Sequence, residues 1–216
     1  MSNAAIKLLI LGSRVFAEEV ADLVEETPGF ELAGFVENVD PERCQGLLLG
    51  KPVHWVSRLA AVDRSHRLLC GIGTTKRRRF VDEVAAWGLP FATLVHPSAR
   101  VSRTSMVGQG SILSVNAIVA AHTTLGRHTI VNRAATIGHH TEIGEYVTIA
   151  PGATIAGKCV IEPGCYIAAG AIVIDRVRIG ASSIVGAGAV VTKDVPSNVQ
   201  VVGVPARIVK EGIDGR

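Results

Sequence analysis

The chain has 216 residues, a formal net charge of +3, and 48% hydrophobic residues of which few are aromatic, 4% of the total. That length accommodates one or two domains with a core of Val, Ile, Leu and Ala, and the charge is too small to argue for a nucleic-acid partner. No apolar stretch approaches the roughly 18 residues of a membrane span, and the run at 6–11 is too short for a secretory leader and lacks a cleavage site. Cys44, Cys70, Cys159 and Cys165 form no C-x-x-C pair and read as buried thiols, which fits a reducing cytoplasm.

Residues 1–95 read as a small α/β domain. IKLLILG (6–12) is a buried strand, 16–26 an amphipathic helix, FELAGFV (30–36) a second strand, HRLLCGIG (66–73) a third and 78–87 another helix. Strands alternating with helices predict a Rossmann-like parallel sheet, which binds ligands at the carboxyl ends of its strands. Those ends are Gly12, Ser13 and Arg14, then Glu37 and Asn38, then Gly73. The first turn, G-S-R-V-F-A, is not G-x-G-x-x-G, so NAD is disfavoured. A one-glycine turn can still present N–H groups to a phosphate, or be a plain strand-to-helix turn. The basic cluster 76–79 is expected to be the solvated start of the second helix.

Residues 96–216 read differently. Sixteen aliphatic residues occupy every sixth position of 101–191, and a small residue follows four places after each of the first fifteen. Neither helix nor simple strand has a period of six; a solenoid does. Three hexads make a triangular coil of about 18 residues, with coils stacked at roughly 4.8 Å. Glycines directly after the aliphatics, such as Gly108 and Gly138, are expected to serve tight corner backbone. Residues 192–213 should cap the last coil.

The solenoid holds His122, His128, His139 and His140. His122, His128 and His140 share the third offset after an aliphatic, which alternation directs outward. One coil of 18 residues stacks His122 under His140 and continues to Lys158 and Arg176, a basic column suited to an anionic ligand or simply solvated. His139 sits one place nearer the corner. A neutral imidazole there can act as a base or be structural.

The hexads, the preceding α/β domain, L-V-H-P-S-A (94–99), I-G-H-H (137–140) and G-V-P-A-R (203–207) resemble the sugar O/N-acyltransferases related to sialic acid O-acetyltransferase and the bacillosamine-pathway N-acetyltransferase, within the hexapeptide-repeat superfamily. The resemblance implies a left-handed parallel β-helix, against the usual right-handed crossover. It implies a homotrimer that transfers an acetyl group directly from acetyl-CoA to a nucleotide-linked amino sugar. The family segment N-x-x-x-x-I-x-H-[DE] falls on 132–140, which assigns the general base to His139 and puts His140 in the place of the orienting acid. By position, Gly157, Ala169, Gly186 and Ala187 would hold the pantetheine arm, with Lys210 toward the nucleotide end of the cosubstrate. The family's nucleotide turn, G-x-x-G-H, and its acidic pair are replaced by Ser13-Arg14-Val15-Phe16 and Glu37-Asn38.

Other readings are an O-acetyltransferase, a γ-carbonic-anhydrase-like metalloenzyme, and a non-catalytic trimeric scaffold. The spacing of the four histidines does not resemble the γ-carbonic anhydrase ligand set, and no metal is expected.

Overall fold

The computed structural model describes residues 5–216, in two compact units. One comprises the chain up to Gly73 together with Arg77–Leu94; the other comprises Thr74–Lys76 and Val95–Arg216.

The first unit contains β1 (Ile6–Leu11), α1 (Val15–Glu25), β2 (Phe30–Glu37), β3 (Leu47–Leu48), β4 (Lys51–Trp55), β5 (Arg67–Cys70) and α2 (Arg78–Ala85). The sheet order is β3-β4-β2-β1-β5, parallel except for the β3–β4 pair. The continuous apolar runs of β1 and β5 are buried, as a covered parallel sheet requires, and Ala17, Val20 and Val24 of α1 are buried with them. The sequence reading missed β3 and β4 because Pro52 interrupts the pattern; it pairs with Leu47 of the two-residue margin strand, where a missing donor costs little. The basic cluster is not uniformly solvated. Lys76, Arg78 and Arg79 are exposed, whereas Arg77 is 1% exposed in a short 3-10 turn ahead of α2.

The second unit is a left-handed parallel β-helix. Each hexad contributes a two-residue strand ending on its aliphatic residue, and pairing runs at a register of 18, as in Ile118↔Thr136 and Val119↔Ile137. Three sheets of six, five and eight strands form the faces of the prism. The aliphatics from Leu113 onward fill its axis together with the small residues at the fourth offset. Buried hydroxyls at that offset satisfy the corners. Thr123 Oγ1 donates to Gly138 O at 2.8 Å, Thr141 Oγ1 donates to Ala156 O at 3.2 Å, and each accepts the N–H of the residue one coil later. Cys159 continues this ladder, its Sγ 3.1 Å from Ile174 O.

The corners differ from the sequence expectation. Left-handed backbone falls on the third offset, at Asn116, His122, His128, Ala134, His140, Tyr146, Lys158, Arg176 and Ser182, with glycine at 110, 152, 164, 170 and 188. The glycines after the aliphatics serve clearance instead: a Cβ on Gly138 would lie 2.5 Å from the carbonyl carbon of Ala156 in the next coil. His128 is a second correction. It is 5% exposed rather than outward, its ring stacked on Tyr146 at 5.1 Å, and Gly110 one coil earlier leaves the space it occupies.

At the far end, Val199–Val202 adds to the eight-stranded sheet, burying Val199 and Val201 beyond the last coil, and turns back into the antiparallel Arg207–Glu211, the exposed margin of that sheet. The tail then returns to Thr75, whose Oγ1 accepts from Arg216 N at 2.9 Å, while the Arg216 guanidinium lies 4.5 Å over the Tyr166 ring.

Candidate active site

The corner between the six- and five-stranded sheets carries His122, His139 and His140. His122 and His140 lie one coil apart with ring centroids 4.8 Å apart and planes tilted by 42°, and Lys158 and Arg176 follow at the same left-handed offset. His140 N donates to Ala121 O at 2.9 Å and Lys158 N to His139 O at 2.8 Å, so the ladder between coils fixes this column. His139 and His140 are both exposed, and their Nδ1 atoms lie 3.0 Å apart. Partial desolvation, then the neighbouring His122, His139 and Lys158, hold the His140 imidazole below its ordinary value. One Nδ1 donates and the other accepts; the tautomer in which His140 accepts puts the His139 proton on Nδ1 and leaves its Nε2 unprotonated.

Gly157 lies directly beneath that nitrogen. A Cβ there would stand 2.9 Å from both Cε1 and Nε2 of His139, so the glycine makes room for the ring. The Gly157 N–H makes no hydrogen bond among the described residues. Acyl transfer calls for a base and a hydrogen-bond donor to a developing oxyanion, and an imidazole and a backbone N–H are the groups this corner offers.

The remaining expected donor-site residues are not on this corner. Ala169 and Ala187 are exposed one coil apart on the corner at the opposite margin of the six-stranded sheet, and Gly186 beside them is buried. Gly186 packs against the cap: its N–H donates to Val201 O at 2.8 Å, and a Cβ would meet Val202 at 2.7 Å. Lys210 is exposed on the antiparallel cap strand, paired with Gln200. A single chain therefore does not bring these residues to His139.

In the α/β unit, Gly12, Ser13, Arg14, Glu37, Asn38 and Gly73 do come together, around a cavity of about 270 Å³ that Phe16 and Ile72 also line. Ser13 Oγ donates to Glu37 Oε2 at 2.5 Å, and Glu37 Oε1 accepts from the backbone of Asn38 and Val39 at 3.0 and 2.8 Å. Burial opposes the charge on Glu37, but Ser13 and the backbone amides of Val39, Asn38 and Asp40 outweigh it and hold the carboxyl below its ordinary range. Its acceptor capacity is thereby directed into the turn. Sequence reasoning missed Arg43, whose Nε donates to Ser13 Oγ at 2.9 Å, and Glu83, which accepts from Asn38 Nδ2 at 2.6 Å. Both lie outside any strand-end turn, so no local signal marked them. Arg14, at the head of α1, makes no side-chain cap bond.

The thiols do not supply a nucleophile. Burial pushes Cys70 up to about 11 and Cys165 up to about 12, and raises Cys159. Among the described residues no group of three or more His, Cys, Asp or Glu is placed to hold a metal ion, and no helix is long and apolar enough to cross a membrane.

Residues 122–157 and 158–193 match the bacterial transferase hexapeptide family (six repeats). The chain is similar to the perosamine N-acetyltransferase of Caulobacter crescentus, solved as a histidine-to-asparagine variant with CoA and GDP-perosamine, at 29% identity and a TM-score of 0.88, covering 97% of this chain and 100% of that one. It is 31% identical to the acetyltransferase domain of PglB from Neisseria gonorrhoeae, with a TM-score of 0.85 over 94% of this chain and 100% of that domain, which has also been solved with acetyl coenzyme A. The galactoside O-acetyltransferase of Escherichia coli is 54% identical over 35 residues, 16% of this chain and 17% of that enzyme. Fold and relatives together define an acyltransferase built on a left-handed β-helix. The chain belongs to the hexapeptide-repeat sugar acyltransferases, in the branch that carries an α/β unit ahead of the coils.

Proposed function

We propose that the protein uses acetyl-CoA to acetylate the amine of a nucleotide-linked amino sugar, with His139 as general base. The observation that carries this reading is the exposed pair of His139 and His140, their Nδ1 atoms 3.0 Å apart, with Gly157 leaving room against Cε1 and Nε2 of the His139 ring. Nε2 takes a proton from the acceptor amine as its nitrogen attacks the thioester carbonyl. The Gly157 N–H donates to the oxyanion; the C–S bond then breaks, and the proton passes to the departing thiolate. No acyl-enzyme is required, which agrees with thiols held protonated.

The acyl donor groove needs two copies of the chain. His139 and Gly157 lie on one corner and Ala169 and Ala187 on another, so a groove using both sets runs between neighbouring prisms, as in a homotrimer. Residues 1–95 would then hold the nucleotide sugar in the Gly12–Ser13–Arg14, Glu37–Asn38 and Gly73 cavity, with Arg14 toward a diphosphate, and 96–216 the acetyl-CoA.

Similarity over 97% of the chain to an enzyme solved with GDP-perosamine supports an amine acceptor, and makes that compound the first to assay. Acetyl transfer should be followed by release of free CoA thiol, with sedimentation to measure the assembly. Turnover on a nucleotide-linked amino sugar by a trimer supports the reading. Turnover only on sugar hydroxyls, or by a monomer, contradicts it.

A further inference from the structure

The turn between β1 and α1, which forms one wall of the cavity in the α/β unit, is held by a residue outside the cavity's lining. Arg43 reaches Ser13 with two donors: Nε donates to Oγ at 2.9 Å, and Nη2 donates to the carbonyl oxygen of the same residue. Ser13 is buried, and its Oγ donates in turn to Glu37 Oε2 at 2.5 Å. The other oxygen of Glu37 accepts from the N–H groups of Asn38 and Val39 at 3.0 and 2.8 Å, at the start of the segment that leads to Arg43. That segment is itself locked, because Asp40 caps the 3-10 turn Pro41–Gln45 and its carboxylate accepts from Glu42 N at 3.2 Å. Glu37, the segment 38–42, Arg43 and Ser13 therefore close a ring of bonded contacts around the two strand ends.

Resting on the placement of the nucleotide sugar in this cavity, we infer that Arg43 is a positioning residue for the acceptor's diphosphate, acting through the Ser13–Arg14 peptide. That peptide is trans, the one cis bond among the described residues being Val204–Pro205, so its C=O and N–H point to opposite sides. Fixing the Ser13 carbonyl on the guanidinium fixes the Arg14 N–H on the other side. This N–H makes no hydrogen bond among the described residues, and the first N–H groups of α1 follow it with no side-chain cap. An unclamped peptide can turn over and present its carbonyl oxygen to an incoming phosphate, which it repels. The guanidinium also offsets the charge of Glu37, a buried carboxylate held in its ionised form, which a diphosphate would otherwise meet in this cavity. Arg14 brings charge to the turn, and Arg43 sets the turn's backbone.

The test compares full-length wild type, Arg43→Ala and Arg43→Lys by calorimetric titration with GDP and UDP and by NMR titration with guanosine and uridine. Arg43→Ala should bind the preferred diphosphate about 10- to 100-fold more weakly, the loss expected for hydrogen bonds to charged groups, and the matching nucleoside within about twofold of wild type. Arg43→Lys should recover little of that loss, because one ammonium lacks the fork that holds hydroxyl and carbonyl together. In turnover the acceptor KM should rise by about the same factor, with kcat and the acetyl-CoA KM within about twofold. A merely structural brace would weaken nucleoside and diphosphate alike, and that result overturns the inference. Equal diphosphate affinity in wild type and Arg43→Ala overturns it alone and leaves the nucleotide in the cavity. A wild type that binds neither diphosphate overturns the placement of the nucleotide and the inference with it.

Discussion

His139 and His140 face one another through like atoms, Nδ1 to Nδ1 at 3.0 Å, so one imidazole must donate and the other accept. His139 serves as a base through Nε2 in the tautomer where His140 Nδ1 accepts. A carboxylate in that position would hold the same tautomer of His139 and also favour its protonated form. His140→Ala should lower kcat by about tenfold, less than the 10² to 10⁴ expected for losing a general base. His140→Asp, tolerated at a left-handed position, should restore turnover and move the acid limb of kcat/KM to higher pH. An unmoved acid limb in an active His140→Asp enzyme would separate the two rings functionally.

Two glycines in adjacent coils should respond in opposite ways. Gly157→Ala brings a methyl to 2.9 Å from Nε2 of His139, the mobile end of an exposed ring, so the ring yields and the fold does not. Its kcat should fall by about 10², the cost of misplacing a reacting group by roughly 1 Å, with little change in Tm. Gly138→Ala brings a methyl to 2.5 Å from the backbone of Ala156, which has no room to move. It should lower stability by about 1–3 kcal/mol or more, read as a shift in denaturant midpoint. Equal Tm losses in the two variants would contradict the clearance argument.

Glu37 should give the α/β unit an acid-sensitive element. Its carboxyl is held below the ordinary 4.5, so the stabilisation it contributes is complete above that value and is lost as pH falls through the lowered folded value. Unfolding monitored between pH 7 and pH 3 should show Glu37→Gln destabilised at neutral pH and less pH-dependent than wild type. Parallel pH curves for the two proteins would remove Glu37 from that role.

The prism was legible because its geometry imposes its period. Three hexads close a coil, so an unbroken series of sixteen aliphatics specifies the axis, and arithmetic in eighteens stacks His122 on His140. The same arithmetic separates Gly157 from Ala169 and Ala187, a consequence the sequence reading did not draw when it grouped them. Backbone sign was not legible, because His, Lys and Tyr at the third offset carry no mark of the left-handed conformation they adopt. The burial of His128 depends on the bare Gly110 one coil away, and that of Arg77 on its place in a short turn, neither of which follows from hydropathy. In the α/β unit, the strand-end turns announced the cavity, while the residues bracing it, Arg43 and Glu83, arrive from elsewhere in the chain.

The central claim is that His139 Nε2 is the base for acetyl transfer, and it is tested most directly by single-turnover kinetics of His139→Ala with saturating acetyl-CoA and the best nucleotide-linked amino sugar. The chemical step should slow by about 10² to 10⁴, with the acetyl-CoA KM nearly unchanged. Raising the pH should recover part of that rate, because the acceptor amine then arrives already deprotonated. A variant that keeps near-wild-type rates, while His122→Ala or His140→Ala abolishes them, would contradict the assignment and move the base to the neighbouring column of the prism.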